Sequence, residues 1–167
     1  MKLSYNQLKI IKNYIYNYPP NNRKSALIPI LHKIQSYCNN WLSIESMDYV
    51  ADLLKISKIE VYEVASFYTM FNLKPVGKHV LEVCQTAPCS LLGSLDIRKY
   101  IQKKLNIKPG ENTQDGMFTL KNVECLAACG YGPVMQVGSK YFEKLNFNKI
   151  DIILEDLKKI KKHSTYC

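Results

Sequence analysis

Long apolar runs are missing from this chain of 167 residues. None approaches the roughly 18 residues that cross a bilayer, so direct membrane insertion is not expected. Arginine is nearly absent too: Arg23 and Arg98 stand against 21 lysines. Nucleic-acid sites draw on the planar guanidinium fork, so the net charge of +9 does not point to a nucleic-acid partner. The charge is also spread out, with nine basic and five acidic residues in 1–76 and fourteen and nine in 77–167. Abundant Lys, Asn, Ile and Tyr read instead as codon drift in an AT-rich genome. Neither G-x-G-x-x-G nor G-x-x-x-x-G-K-[ST] occurs, so no nucleotide cradle is expected here. The start, "MKLSYNQLKIIKNYIYNYPP", lacks a small-residue cleavage site and is not read as a signal peptide. A reducing cytoplasm is the expected compartment. Internal repeats and low-complexity tracts are absent as well.

What the chain does have is cysteine in pairs. "CQTAPCSLLGS" (84–94) holds Cys84 and Cys89, and "ECLAACGYGP" (124–133) holds Cys125 and Cys129. Such thiols can form disulfides, run redox exchange, hold zinc, or hold an iron–sulfur cluster. Thioredoxin-type exchange uses C-x-x-C, a spacing neither pair has. Disulfides call for an oxidising compartment. Zinc is the serious rival, since four thiolates make a closed tetrahedral site, though its knuckles usually place two residues between ligands. A [2Fe-2S] cluster takes four thiolates, two per iron, without that constraint.

Periodicity divides the chain in two. Residues 5–17 carry Leu8, Ile11 and Ile15 at helical spacing, and 24–38 carry Leu27, Ile28, Leu31 and Ile34, with Pro29 expected to kink or restart the helix near its beginning. Trp41, Leu42 and Ile44 read as a connector and 46–54 as a third helix. Ser57 with Glu60 makes a capping box before "VYEVASFYTMF", a helix apolar on most sides and so expected to be buried. "LKPVGK" (73–78) is the boundary, which gives a helical domain over 1–74 and a second domain over 75–167. Beyond it, strands are expected at 79–83 and 117–123 and in a hairpin across Gly138-Ser139, with helices at 90–105 and at the C-terminus, where Ile150, Ile153, Leu154 and Leu157 share a face. "KKIKK" (158–162) continues that last helix as a solvated face. The fold class is therefore α+β: a helical bundle, then a small α/β unit with a four-stranded sheet.

Both cysteine pairs fall just past strand ends, where open α/β sheets build sites. Ser90 is a candidate N-cap that would aim the 90–105 helix at them, favouring a negatively charged cluster. Ala127, Ala128, Gly130 and Gly132 leave room for backbone to approach the sulfurs.

These residues carry a resemblance. "CQTAPCSLLGS" and "ECLAACGYGPVMQVGSKYFEKL" are similar to the two cluster motifs of the 24 kDa subunit of NADH:quinone oxidoreductase, respiratory complex I. "ALIPILHKIQ…WL" and "VYEVASFYTMFNLKPVGKHVLEVC" resemble its helical segment and its approach to the first ligand. The resemblance implies a thioredoxin-like C-terminal domain with one [2Fe-2S] cluster on Cys84, Cys89, Cys125 and Cys129. The chain departs from the family at Ala127, where many members have glycine, and at Tyr131-Gly132, where they have Asn-Ala.

A hydride carries two electrons and such a cluster takes one, so a flavin must stand before it. The resemblance places FMN and NADH on a 51 kDa-type flavoprotein partner. It implies an electron-transfer subunit of the NADH dehydrogenase module, cytoplasmic and peripheral on the inner face of the membrane through the larger complex. Alternatives are the diaphorase subunit of an NAD-linked hydrogenase or formate dehydrogenase and, more distantly, a zinc-stabilised binding module. Cys38 and Cys167 match no ligand position and are expected bystanders. His79 is expected to be structural. The aromatic residues of the helical part, among them Tyr14, Trp41, Phe67 and Phe71, include the surface expected to meet the flavoprotein.

Overall fold

Helix α1 (Tyr5–Tyr16) begins where Ser4 and Gln7 cap each other: Gln7 N–H donates to the Ser4 hydroxyl at 3.3 Å and Ser4 N–H to the Gln7 amide oxygen at 2.8 Å. The structure, a computed structural model, describes residues 3–160. The chain divides into two compact units, one ending at Pro75 and the next starting at Val76.

In the helical unit a 3-10 segment (Pro20–Ala26) leads into α2 (Leu27–Tyr37). Pro29 sits in the first turn of α2, where its missing N–H costs nothing, which is the restart the sequence predicts. Asn39 and Asn40, both at positive φ (54° and 64°), turn the chain after α2. Helix α3 (Ile44–Leu54) starts two residues before the expected position, because Ser43 caps it: the Ser43 hydroxyl accepts Ser46 N–H at 3.1 Å. Helix α4 (Lys58–Phe67) opens at Ser57, whose N–H donates to Glu60 at 3.0 Å.

The expectation of a buried α4 is overturned. Only Val61 and Ala65 of this helix are buried, and Ile59 and Phe67 are 64% and 78% exposed. The helix also ends at Phe67, because Tyr68 turns extended (φ −89°, ψ 116°) and lets Phe71 fold back into the core. There Phe71 lies 5.0 Å from the His32 ring, near a core of Ile11, Ile30, Ile34, Val50 and Val61 that also encloses Cys38.

The second unit begins with a close approach. A Cβ on Gly77 would meet the Phe118 carbonyl carbon at 2.6 Å, and the Gly77 N–H donates to the Thr119 hydroxyl at 2.6 Å. Strand β1 (His79–Cys84) runs parallel to β2 (Phe118–Val123), with His79 opposite Phe118 and Cys84 opposite Val123. Strand β3 (Met135–Val137) pairs antiparallel with β1, and β4 (Lys140–Phe142) with β3 across Gly138 at φ 59°. The order is β2-β1-β3-β4.

The single helix expected over 90–105 is two: α5 (Ala87–Leu91) and α6 (Ser94–Leu105), broken at Gly93, whose φ of 96° no helix continues through. Ser90 is accordingly inside α5 and caps nothing; its hydroxyl donates to the Gln85 carbonyl at 2.9 Å. Helix α7 (Phe147–Lys159) buries Ile150, Ile153, Leu154 and Leu157 as expected and meets α6 through the stacked rings of Tyr100 and Phe147. Leu81, Val83, Ile97, Ile101, Phe118, Leu120 and Met135 complete this core. Lys158 and Lys159 form the exposed end of α7, while residues 161–162 of the basic run and Cys167 lie outside the described residues. Among the described residues no helix is long and apolar enough to cross a membrane.

Candidate iron–sulfur centre

Because β1 and β2 are parallel and in register, their C-terminal ends leave the sheet side by side. Cys84 is the last residue of β1, and Cys125 follows two residues after β2 ends at Val123. Cys89 sits within α5 and Cys129 opens a short 3-10 turn (Cys129–Tyr131). The pairs differ in burial: Cys84 and Cys89 are buried and Cys125 and Cys129 exposed, all four as thiols. Cys84, Cys89 and Val134 form a small apolar cluster, against which Leu126 and Ala128 of the second loop pack. The two loops are thus one site.

Backbone N–H groups point at the sulfurs. Ala127 N–H donates to Cys125 Sγ at 3.2 Å, and the Thr86 hydroxyl lies 3.3 Å from Cys84 Sγ. Burial pushes the Cys84 thiol up, but hydrogen bonds from the Thr86 hydroxyl, the Thr86 and Leu126 N–H groups and Cys89 outweigh it and hold Cys84 below the usual thiol range. Burial and the neighbouring Cys84 raise Cys89, against a hydrogen bond from Val134 N–H. Cys129 is raised chiefly by Cys125 and more weakly by burial and Cys84. Burial thus comes first for Cys84 and Cys89, and the neighbouring Cys125 first for Cys129.

The small residues do not all serve as expected. Gly132 does allow a close approach: a Cβ there would lie 2.8 Å from Leu92 Cδ1 and 3.5 Å from Cys89 Sγ. Gly130 faces open space, and no neighbour requires it to be glycine. Ala127 takes a left-handed φ of 56°, a conformation glycine would adopt at less cost. The Gly132–Pro133 peptide is cis. His79 stands at the opposite end of β1 from Cys84, its ring 5.8 Å from that of Phe118, a structural place.

The donor set fits a binuclear cluster. Two thiols per iron match the pairing, and N–H groups aimed at sulfur offset negative charge. Sequence reasoning missed Gln85, Thr86, Leu126 and Val134, since nothing in cysteine spacing marks the residues that orient ligands.

Comparison with known proteins agrees with this geometry. The chain is 46% identical over 148 residues to a subunit of the NADH-quinone oxidoreductase of Rickettsia typhi, covering 89% of this chain and 87% of that protein. It is 40% identical over 151 residues to the mitochondrial NADH dehydrogenase [ubiquinone] flavoprotein 2 of Dictyostelium discoideum, covering 90% of this chain and 61% of that one. Its fold superposes on a chain of an NAD+-reducing [NiFe]-hydrogenase with a TM-score of 0.70 at 18% identity, covering 79% of this chain and 22% of the hydrogenase chain. Residues 11–158 match the thioredoxin-like [2Fe-2S] ferredoxin family, and the chain belongs to that family.

Proposed function

We propose that this chain is the electron-transfer subunit of the NADH dehydrogenase module of an NADH:quinone oxidoreductase, holding one [2Fe-2S] cluster on Cys84, Cys89, Cys125 and Cys129. The observation that carries the reading is the convergence of two thiol pairs at the shared end of β1 and β2, with backbone N–H groups turned toward the sulfurs. The names and coverage of the curated relatives support the quinone-linked complex. The likeness to the hydrogenase chain concerns the fold and does not favour the diaphorase alternative.

The cluster, when bound, supplies a one-electron acceptor. The chain's own residues orient it and exclude water on one side: Cys84 and Cys89 are sealed under Val134, while Cys125 and Cys129 face outward. An exposed thiol pair lets a redox partner come near. FMN and NADH belong on a partner flavoprotein of the 51 kDa type, and through the complex the chain sits at the inner face of the membrane. Residues 75–167 form the cluster domain and 1–74 the docking domain. Within the latter, Ile59, Phe67, Tyr68, Met70 and Leu73 leave apolar surface uncovered at and beyond α4, as a docking face would.

The test is purification of the full chain with iron and sulfide, followed by iron analysis and electron paramagnetic resonance after dithionite reduction. About two irons per chain are expected, with a reduced [2Fe-2S] signal. A colourless zinc protein would overturn the cluster, and failure to co-purify with the flavoprotein would overturn the partner.

A further inference from the structure

Gln85 follows the first ligand, and every hydrogen-bonding group it has is engaged. Its N–H donates to the Val123 carbonyl at 2.9 Å, tying it to the end of β2. Its carbonyl accepts the Ser90 hydroxyl of α5 at 2.9 Å. Its side-chain oxygen accepts from Arg98 Nη1 of α6 at 3.3 Å, and its side-chain N–H donates to the Glu124 carboxylate at 2.7 Å. Glu124 immediately precedes Cys125. One residue thus joins the loop after Cys84 to the loop before Cys125, and both to the helices between.

Helix α6 grips the same place twice. Ser94, fully buried, donates its hydroxyl to the Cys84 carbonyl, and Arg98 lies one turn further along on the same side of the helix. Arg98 is half-buried, and its Nε is buried without a hydrogen-bond partner. A guanidinium kept partly out of water at such a cost acts on its surroundings more strongly than an exposed charge. Glu124, which opposes it across Gln85, is exposed and better screened. Of the two charges held on Gln85, Arg98 is therefore the less screened.

We propose that Arg98 and Gln85 are positioning residues of the cluster: the Gln85–Glu124 bridge fixes the spacing of the two ligand loops, and the Arg98 charge stabilises the additional negative charge that the cluster carries when reduced. This rests on the cluster assignment above. Loss of the charge lowers the reduction potential, and loss of the bridge loosens the ligands. Neither role needs Arg98 or Gln85 to touch iron or sulfur.

The experiment uses the full chain loaded with its cluster. Midpoint potential is read by a redox titration followed by electron paramagnetic resonance, and cluster retention by the rate of iron release to a chelator. Arg98→Met is expected to keep its iron but titrate at a more negative potential, with Arg98→Lys recovering part of the shift because it restores charge without the fork. Gln85→Ala is expected to release iron roughly ten to a hundred times faster, the scale of lost support around a metal ligand. Should Arg98→Met fold poorly, Arg98→Gln makes the same charge comparison. A coloured Arg98 variant with an unchanged potential overturns the electrostatic role, and a Gln85→Ala chain that holds iron as long as the unsubstituted one overturns the bridge. Absence of any cluster in the unsubstituted chain strikes instead at the proposed function, so the two failures are distinguishable.

Discussion

In the helical unit, exposed ion pairs link side chains across the surface. Lys24 reaches Glu60 at 2.7 Å, Lys58 reaches Asp48 at 2.7 Å, and the core is a set of aliphatic faces. In the sheet unit the backbone leaves little room at two glycines, where a Cβ on Gly77 would strike the Phe118 backbone and one on Gly132 would strike the Leu92 side chain, and Ala127 N–H donates to Cys125 Sγ. Side chains can re-rotate and an exposed ion pair contributes little, so the helical surface should tolerate change. Peptide planes cannot, and the site is built on them. The helical unit is free to evolve a surface for a partner, while the sheet unit is constrained by distances of tenths of an ångström.

The most damaging test of this contrast is removal of a thiol. Cys84→Ala, Cys89→Ala, Cys125→Ala and Cys129→Ala are each expected to lose the cluster, read as iron content and reduced-state resonance. Cys38→Ala, in the helical core, should keep about two irons per chain. Full iron content in the Cys129 variant would remove it from the ligand set and break the equivalence of the two pairs.

Next in size is Gly77→Ala. The added methyl would meet three backbone atoms of Phe118 at 2.6 to 2.9 Å, and no side chain can yield. Overpacking against backbone is expected to cost about 2–3 kcal/mol, checked by urea unfolding. Gly132→Ala meets Leu92 Cδ1 at 2.8 Å, but Leu92 is 54% exposed and can swing away. A smaller loss, about 1 kcal/mol, is expected there, with a changed resonance spectrum because the methyl also nears Cys89 Sγ. Equal losses at the two glycines would erase the distinction between backbone and side-chain approaches.

These glycines also mark where sequence reading reaches its limit. Helix and strand periods, the Ser57–Glu60 cap, the hairpin at Gly138 and the four thiols were all legible, because each is a local pattern. Gly93 was not read as a break, since its φ of 96° depends on where α6 must start to let Ser94 reach Cys84. The exposure of Phe67 was equally hidden: helical spacing marks an apolar residue, but only the backbone turn at Tyr68 decides that Phe71 and not Phe67 enters the core. Gln85 shows the same limit at the site. Its four hydrogen bonds go to β2, the loop that follows it, α5 and α6, and no spacing in the sequence brings them together.

A milder test lies on the helical surface. Phe67→Ser should leave stability within about 0.5 kcal/mol, because the ring is 78% exposed and packs mainly on Tyr68 at 5.0 Å. Binding to the flavoprotein should weaken if this face docks it. A drop of several degrees in Tm would mean that the helical unit is as intolerant as the sheet unit.

The smallest expected effect is a pH dependence confined to the helical surface. Hydrogen bonding from Lys24, then from Ser57, holds the Glu60 carboxyl down at about 2, against an ordinary value of 4.5. A depressed carboxyl stabilises the folded state fully above its unfolded pKa, and this contribution is lost as pH falls from about 4.5 toward about 2. Glu60→Gln keeps an acceptor for Ser57 but no charge for Lys24. The variant should therefore be slightly less stable than the unsubstituted chain at pH 6, and the gap should close as pH approaches 2. Because the pair is exposed, added salt should shrink the gap at pH 6 as well. Urea midpoints of the two chains across this range decide it: a gap that persists at low pH would place the role of Glu60 in its contacts as a cap rather than in its charge, and one that widens would reverse the sign argued here.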